Sequence, residues 1–232
     1  MSERLLLTAL KGGSNTKIIT LNGKRMTRMP SALEKLPGLR ILNLQNNLIH
    51  EVCPELRTLT KLTLLNLGNN LFEEIPEEMK YLTSLKKLHL FGNRICSIAT
   101  GVCDGLQELV LLNLNDNRLK SLPQEVGRLR NLTYLSINHN QLTGIPTELC
   151  SIQSLSELHL NYNQLMGIPE EIKLLRNLQQ LFLVRNNIEA LPEFQNLKLR
   201  EFYCEGNPLF LKRPITAIRP KDVWTLRVTH TQ

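Results

Sequence analysis

Leu39-Arg40-Ile41-Leu42-Asn43-Leu44-Gln45-Asn46-Asn47-Leu48-Ile49 is the stretch that decides how the whole chain is read. Leu42 and Leu44 stand two apart, so their side chains leave one side of a short extended segment. Ile41, Asn43 and Gln45 leave the other. Leu39 leads into the segment and Ile49 follows it. Asn47 supplies an amide that can both donate and accept where the chain bends away. One such unit cannot bury its own leucines.

The unit returns as Leu62, Leu65, Leu67, Asn70 and Phe72, and again as Leu85, Leu88, Leu90, Asn93 and Ile95. The frame runs on through Leu109 and Asn117, Leu132 and Asn140, Leu155 and Asn163, and Leu178 and Asn186. A last copy has Leu199, Phe202, Cys204, Asn207 and Leu209, and a degenerate first copy has Ile19, Leu21 and Met26 with Lys24 where Asn belongs. Successive Asn residues lie 23, 23, 24, 23, 23, 23 and 21 apart. This ladder accounts for a composition of 49 Leu and 22 Asn in 232 residues. That bias, with only 12 Gly, excludes collagen, and 42% hydrophobic against 21% charged residues excludes a disordered chain.

Stacked copies would bury their leucines against one another and pair their extended segments into a parallel sheet. An apolar-Pro step marks the return path, at Met29-Pro30, Ile75-Pro76, Leu122-Pro123, Ile145-Pro146, Ile168-Pro169 and Leu191-Pro192. Proline fixes φ and cannot donate, so it ends the strand. Apolar anchors such as Met79 and Leu82, or Ile172 and Leu175, follow at helical spacing. Glu77-Glu78 and Glu170-Glu171 suit the start of such turns. Val52-Cys53-Pro54 displaces the proline, Ile98-Ala99 lacks it, and Thr100 to Leu106 holds the extra residue of the 24-residue step. Two readings stand for that irregularity: drift in a tolerant convex loop, or a bulge that re-aims the convex face for a partner. The sequence predicts an α/β fold, a right-handed solenoid with a concave parallel β-sheet and short convex helices or 3-10 turns.

The pattern resembles the leucine-rich repeat family over roughly residues 16–209. Its 23-residue copies with the apolar-Pro step are similar to the Ras-suppressor and Shoc-type class. The resemblance implies a partner protein docked on the concave sheet, with small-GTPase or phosphatase signalling as one context. It carries over no particular partner.

A solenoid exposes an apolar cross-section at each end unless something covers it. Residues 1–15, with Leu5, Leu6 and Leu10 ahead of Gly12-Gly13, are expected to form a capping helix. Gly206-Asn207-Pro208-Leu209 reads as a closing turn, and residues 210–232 as a C-terminal cap and basic tail in which Phe210, Leu211 and Trp224 pack back. The net charge of +7 divides unevenly. Residues 1–28 carry +5, residues 210–232 carry +4, and the repeat body carries −2. A nucleic-acid solenoid would line its inner face with Lys and Arg, so no nucleic acid is expected on the sheet.

On the concave face fall Phe91, Tyr134, Tyr162, Phe182 and Tyr203, five of the eleven aromatics, with His89, His159 and Arg185 beside them. Strand preference would not select the solvent side, so these eight residues are the expected partner-binding surface. Asn47, Asn70, Asn93, Asn117, Asn140, Asn163, Asn186 and Asn207 are expected to form the structural ladder. His89 and His159 lie three repeats apart, roughly 14–15 Å at ordinary strand spacing. That is too far to share a metal ion, and they read as ordinary surface histidines. No nucleophile elbow, phosphate loop or paired-carboxylate motif occurs, so neither catalysis nor a cofactor is expected. The five cysteines are scattered, read as small apolar fillers, and point to a reducing, cytoplasmic setting. The first eleven residues are too short and interrupted for a secretory segment, and no stretch is long enough to span a membrane.

The expected function is that of a monomeric, non-catalytic adaptor or scaffold that binds another protein. The alternative is a targeting or regulatory subunit of a multi-chain phosphatase, kinase or ubiquitin ligase. A further alternative is association of the basic termini with anionic membrane or nucleic acid.

Overall fold

The computed structural model describes residues 10–11, 15–194 and 197–208. Each repeat contributes one three-residue strand to a single parallel sheet. The strands are β1 (Ile18–Thr20), β2 (Ile41–Asn43), β3 (Leu64–Asn66), β5 (Lys87–His89), β7 (Leu111–Asn113), β8 (Tyr134–Ser136), β9 (Glu157–His159), β10 (Gln180–Phe182) and β11 (Glu201–Tyr203). They lie side by side in chain order. Two further short strands, β4 (Glu74–Ile75) and β6 (Ser97–Ile98), pair separately beside them.

The register does not slip. Leu42 pairs with Leu65, Leu65 with Leu88, Leu88 with Leu112, and the column continues through Leu135, Leu158 and Leu181 to Phe202. The central residue of every main strand therefore faces inward and its two neighbours face out. The inward column and its partners form one continuous hydrophobic core from Ile19 to Cys204.

The return path opposite the sheet is made of 3-10 turns at Ser31–Lys35, Pro54–Thr58, Glu77–Tyr81, Gln124–Arg128, Thr147–Ser151 and Glu170–Leu174. Prolines 30, 76, 123, 146 and 169 stand just before these turns with extended backbone. Each carbonyl accepts the N–H three residues on, the first hydrogen bond of its turn, as in Met79 N–H to Pro76 O at 3.1 Å. Cys53 holds the same backbone position when Pro54 moves one place onward, and Ala99 holds it with no proline at all. The site needs extended φ and a free carbonyl, which proline presets but does not monopolise.

The extra residue of the 24-residue repeat has a local outcome. Thr100–Gly105 is an α-helical turn where the other repeats have a 3-10 turn. The closing bond runs from Leu106 N–H to Val102 O, one residue further back than the Leu82 N–H to Met79 O bond of the preceding repeat. One residue more is taken up by one wider hydrogen-bonded ring. Gly105 permits the packing: a Cβ there would fall 1.9 Å from the Lys80 carbonyl oxygen.

The eight asparagines bind backbone across the repeats. The Asn70 amide nitrogen donates to Leu44 O and Leu67 O, each at 3.0 Å, and its Oδ1 accepts the Ile49 N–H at 3.0 Å. Asn93, Asn117, Asn140, Asn163, Asn186 and Asn207 repeat that arrangement. Asn47 serves the degenerate first copy by accepting from Lys24 and Met26 N–H. The proposed caps at 1–15 and 210–232, with Phe210, Leu211 and Trp224, lie almost wholly outside the described residues. Leu10 and Lys11 are helical, and Leu10 packs against the core.

Candidate functional site

Outward positions of the strands form columns, because in-register parallel pairing sets like positions side by side about 4.8 Å apart. In the C-terminal half one column carries Ser136, His159, Phe182 and Tyr203 on β8, β9, β10 and β11. Phe182 stacks on His159 with ring centroids 4.3 Å apart and on Tyr203 at 5.2 Å. Tyr134, from the neighbouring column, reaches diagonally to His159 at 5.1 Å. Ser136 beside it is fully buried, its hydroxyl donating to Asn115 Oδ1 at 2.7 Å. Tyr134, His159, Phe182 and Tyr203 thus make one unbroken run of rings over four strands.

A second run lies at the bends that follow the strands. His139 stacks on Tyr162 at 4.3 Å with planes 11° apart, and the Arg185 guanidinium lies 5.5 Å from the Tyr162 ring centroid. This column is conformationally special. Its members Gly23, Asn46, Asn69, Gly92, Asp116, His139, Tyr162, Arg185 and Gly206 all have φ between 53° and 71°. Gly, Asn and Asp tolerate that left-handed region, whereas bulky side chains pay for it in steric strain. Tyr162 and Arg185 are therefore the costly members, and they are consecutive. The column's Gly, Asn and Asp content was the sequence signal for the bend.

Between the runs lies a row of amides. Asn115 Oδ1 accepts the Asn138 N–H, Asn138 Oδ1 the Asn161 N–H, and Asn161 Oδ1 the Val184 N–H, each at 2.8 Å. These bonds hold the strand ends at fixed spacing, so both ring runs stand on a braced backbone.

The eight expected residues are not one cluster. Tyr134, His159, Phe182 and Tyr203 meet in the first run, and Tyr162 and Arg185 in the second. Phe91 stands apart, lying over Gly68, where a Cβ would come within 2.6 Å of its ring. His89 precedes it on β5 and is half-buried. His139 joins the second run, though it was not among the eight.

Two side-chain readings are corrected. His159 is no ordinary surface histidine: its side chain is 18% exposed, held between two rings, and its Nε2 lies 3.7 Å from Glu157 Oε2, too far for a hydrogen bond. Burial pulls its pKa below the usual imidazole value, with Glu157 pulling the other way. Cys96 is no apolar filler, because it is exposed and its thiol donates to Glu73 O. Cys103, Cys150 and Cys204 are buried, and burial pushes each thiol up to about 12.

Among the described residues, no three His, Cys, Asp or Glu side chains gather as they would to hold a metal ion. No helix among them is long and apolar enough to cross a membrane. A depression of about 650 Å³, lined by Gln124, Glu125, Gly127, Arg128, Glu148 and Ser151 among others, lies between two 3-10 turns on the convex side. It shares no residue with the ring runs.

The family model described as leucine rich repeat matches residues 37–95 and 107–165. The human and mouse proteins called leucine-rich repeat-containing protein 69 are each 69% identical to this chain, over 98% of its length and 72% of theirs. Among solved structures, an internalin C2 from Listeria monocytogenes superposes with a TM-score of 0.72 at 24% identity, covering 87% of this chain and 92% of that one. That likeness concerns the fold alone. The plant peptide hormone receptor RGFR1, solved in complex with RGF2, gives a TM-score of 0.72 at 29% identity over 84% of this chain and 33% of the receptor. The repeat frame, the nine-stranded parallel sheet and these matches together place the chain in the leucine-rich repeat family.

Proposed function

We propose that this chain is a non-catalytic protein-binding module, a monomeric adaptor or scaffold whose concave face receives a polypeptide partner over its C-terminal half. The observation that carries this reading is the pair of ring runs, Tyr134-His159-Phe182-Tyr203 and His139-Tyr162-Arg185, standing side by side on hydrogen-bonded backbone. Aromatic and Arg side chains on a rigid support lose little freedom on binding, and such residues dominate binding energy in protein interfaces. Tyr162 and Arg185, bulky residues kept at left-handed positions in the bend column, add support, since strain of that kind persists where function needs it. The related plant receptor, solved in complex with RGF2, is a precedent for polypeptide binding on this fold. Scattered, unpaired cysteines, three of them buried and held protonated, support a reducing cytoplasmic setting.

The test is quantitative affinity capture with the wild-type chain and a variant with Phe91, Tyr134, Tyr162, Phe182 and Tyr203 changed to Ser. A variant at the convex residues Glu125 and Glu148 serves as control. Partners enriched by the wild type should be lost from the concave variant and kept by the convex one. Retention by a folded concave variant would sink the proposal.

A further inference from the structure

The first ring run has charged flanks that the aromatic reading leaves unused. Glu157 and Glu201 stand on β9 and β11, two residues before His159 and Tyr203 and on the same face of the sheet. Glu205 stands two residues beyond Tyr203. Carboxylates thus border the rings on both sides, one strand-residue pair away, or about 6.6 Å along the backbone. The Glu157 side chain is 38% exposed, and among the described residues its carboxylate accepts no hydrogen bond, its Oε2 lying 3.7 Å from His159 Nε2. Glu201 accepts from Gln180 Nε2 at 3.0 Å, an uncharged donor that leaves its charge uncompensated. Among the described residues no Lys or Arg forms an ion pair with Glu157, Glu201 or Glu205, and Arg185 is turned over the Tyr162 ring in the second run. The basic residues Lys17, Lys24, Arg25 and Arg28 belong to the first repeat, six strand steps from Glu157 and eight from Glu201, or roughly 29 and 38 Å. Those distances exceed the screening length in physiological salt several-fold.

Resting on the docking reading above, we infer that the partner segment is cationic: an extended stretch of polypeptide carrying Lys or Arg side chains across Tyr134, His159, Phe182 and Tyr203. The rings of this run stack along the sheet, with planes 7° to 16° apart through its last two contacts. Their faces cover one another, so they offer an apolar ridge of ring edges to solvent. A long cationic side chain fits such a ridge, because its methylene stem lies on apolar carbon while its head reaches a carboxylate at the border. An acidic or purely apolar segment would leave Glu157, Glu201 and Glu205 desolvated without a counter-charge. The parallel row of Asn115, Asn138 and Asn161 amides beside the ridge gives an extended backbone polar groups to lie along.

The experiment is selection from a random-sequence peptide library displayed on phage, panned against the full chain. Recovered peptides are then measured as synthetic peptides. Lys and Arg should be enriched in them, affinity should fall as salt is raised, and Glu157→Gln/Glu201→Gln/Glu205→Gln should weaken binding about tenfold or more. These exposed or half-exposed isosteric changes leave the fold in place, which thermal melting checks. Peptides that lose binding with Phe182→Ser/Tyr203→Ser but show no cationic bias would overturn the inference and leave the docking reading standing. Peptides that bind both variants as well as wild type would overturn the docking reading itself. Failure to recover any binding peptide overturns the cationic inference.

Discussion

The imidazole of His159 lies 4.3 Å from the ring of Phe182, with the planes 16° apart. That stack buries a titratable group, and burial depresses its pKa below 6.5 against the pull of Glu157 and Glu201. His89 is depressed by burial too, with Lys87 adding to it. A depressed imidazole means that the folded chain binds fewer protons than the unfolded one just below pH 6.5. The stability contributed is complete above that value and declines as pH falls toward the folded pKa. The urea midpoint should therefore drop between about pH 7.5 and 5.5, and His159→Phe, which keeps a ring in the stack, should flatten part of that drop. An unchanged slope in His159→Phe would show that the stack does not control the proton.

Adjacent residues on β8 should respond oppositely to truncation. Leu135 is fully buried between Leu112 and Leu158, whereas Tyr134 faces out. Leu135→Ala should cost about 2–5 kcal/mol through lost burial and the cavity it leaves. Tyr134→Ala should cost about 1 kcal/mol or less, mainly its contact with His159. Chemical denaturation of the two variants checks this, and equal losses would contradict the inward and outward assignment.

The asparagine ladder gives a sharper test, because its geometry requires an amide and not merely a polar group. The Asn163 Nδ2 donates to Ile137 O at 2.9 Å and Leu160 O at 3.2 Å, while Oδ1 accepts from Leu142 N–H at 3.0 Å. Asn163→Asp keeps the shape but sets a carboxylate oxygen against two carbonyls. It should cost about 2–4 kcal/mol, as two donors are lost and buried acceptors stay unpaired. Asn187→Asp, next to the following ladder residue and exposed, should stay within about 0.5 kcal/mol. Comparable losses at the two positions would mean that the ladder is not the source.

The period of the leucines contained most of the fold, because a spacing of two within a repeat and 23 between repeats leaves few geometries for burial. Strand register, the inward column and the asparagine positions all follow from it. The expected helical spacing of Met79 and Leu82 is realised as a 3-10 turn, since five residues must cross the convex side, and Thr100–Gly105 becomes helical only because it has one more. The site was less legible. Sequence frame placed Tyr134, His159, Phe182 and Tyr203 on one face, but ring contacts depend on rotamers, and nothing in the spacing shows that Tyr134 crosses to His159. The separation of Phe91 from that run depends on Gly68, two residues past its own strand's end, whose missing side chain gives the ring somewhere to lie. The bend column was visible in composition, yet its meaning needed backbone angles.

That column supports a final prediction, in which stability and binding should separate. Tyr162 sits at φ 54° and is 41% exposed, stacked between His139 and Arg185. Asn tolerates this conformation at lower cost, so Tyr162→Asn removes about 1 kcal/mol of backbone strain. It also removes a ring stack and a cation–π contact, together worth about 1–2 kcal/mol. The opposing terms nearly cancel, and the melting temperature should move by only a few degrees at most. Binding of a concave-face partner should nevertheless weaken about tenfold, the size of effect expected of a central aromatic contact. A loss of stability above about 2 kcal/mol would identify Tyr162 as a structural residue whose ring holds the bend. Unchanged stability with unchanged binding would remove the second ring run from the docking surface and leave the first to carry it alone.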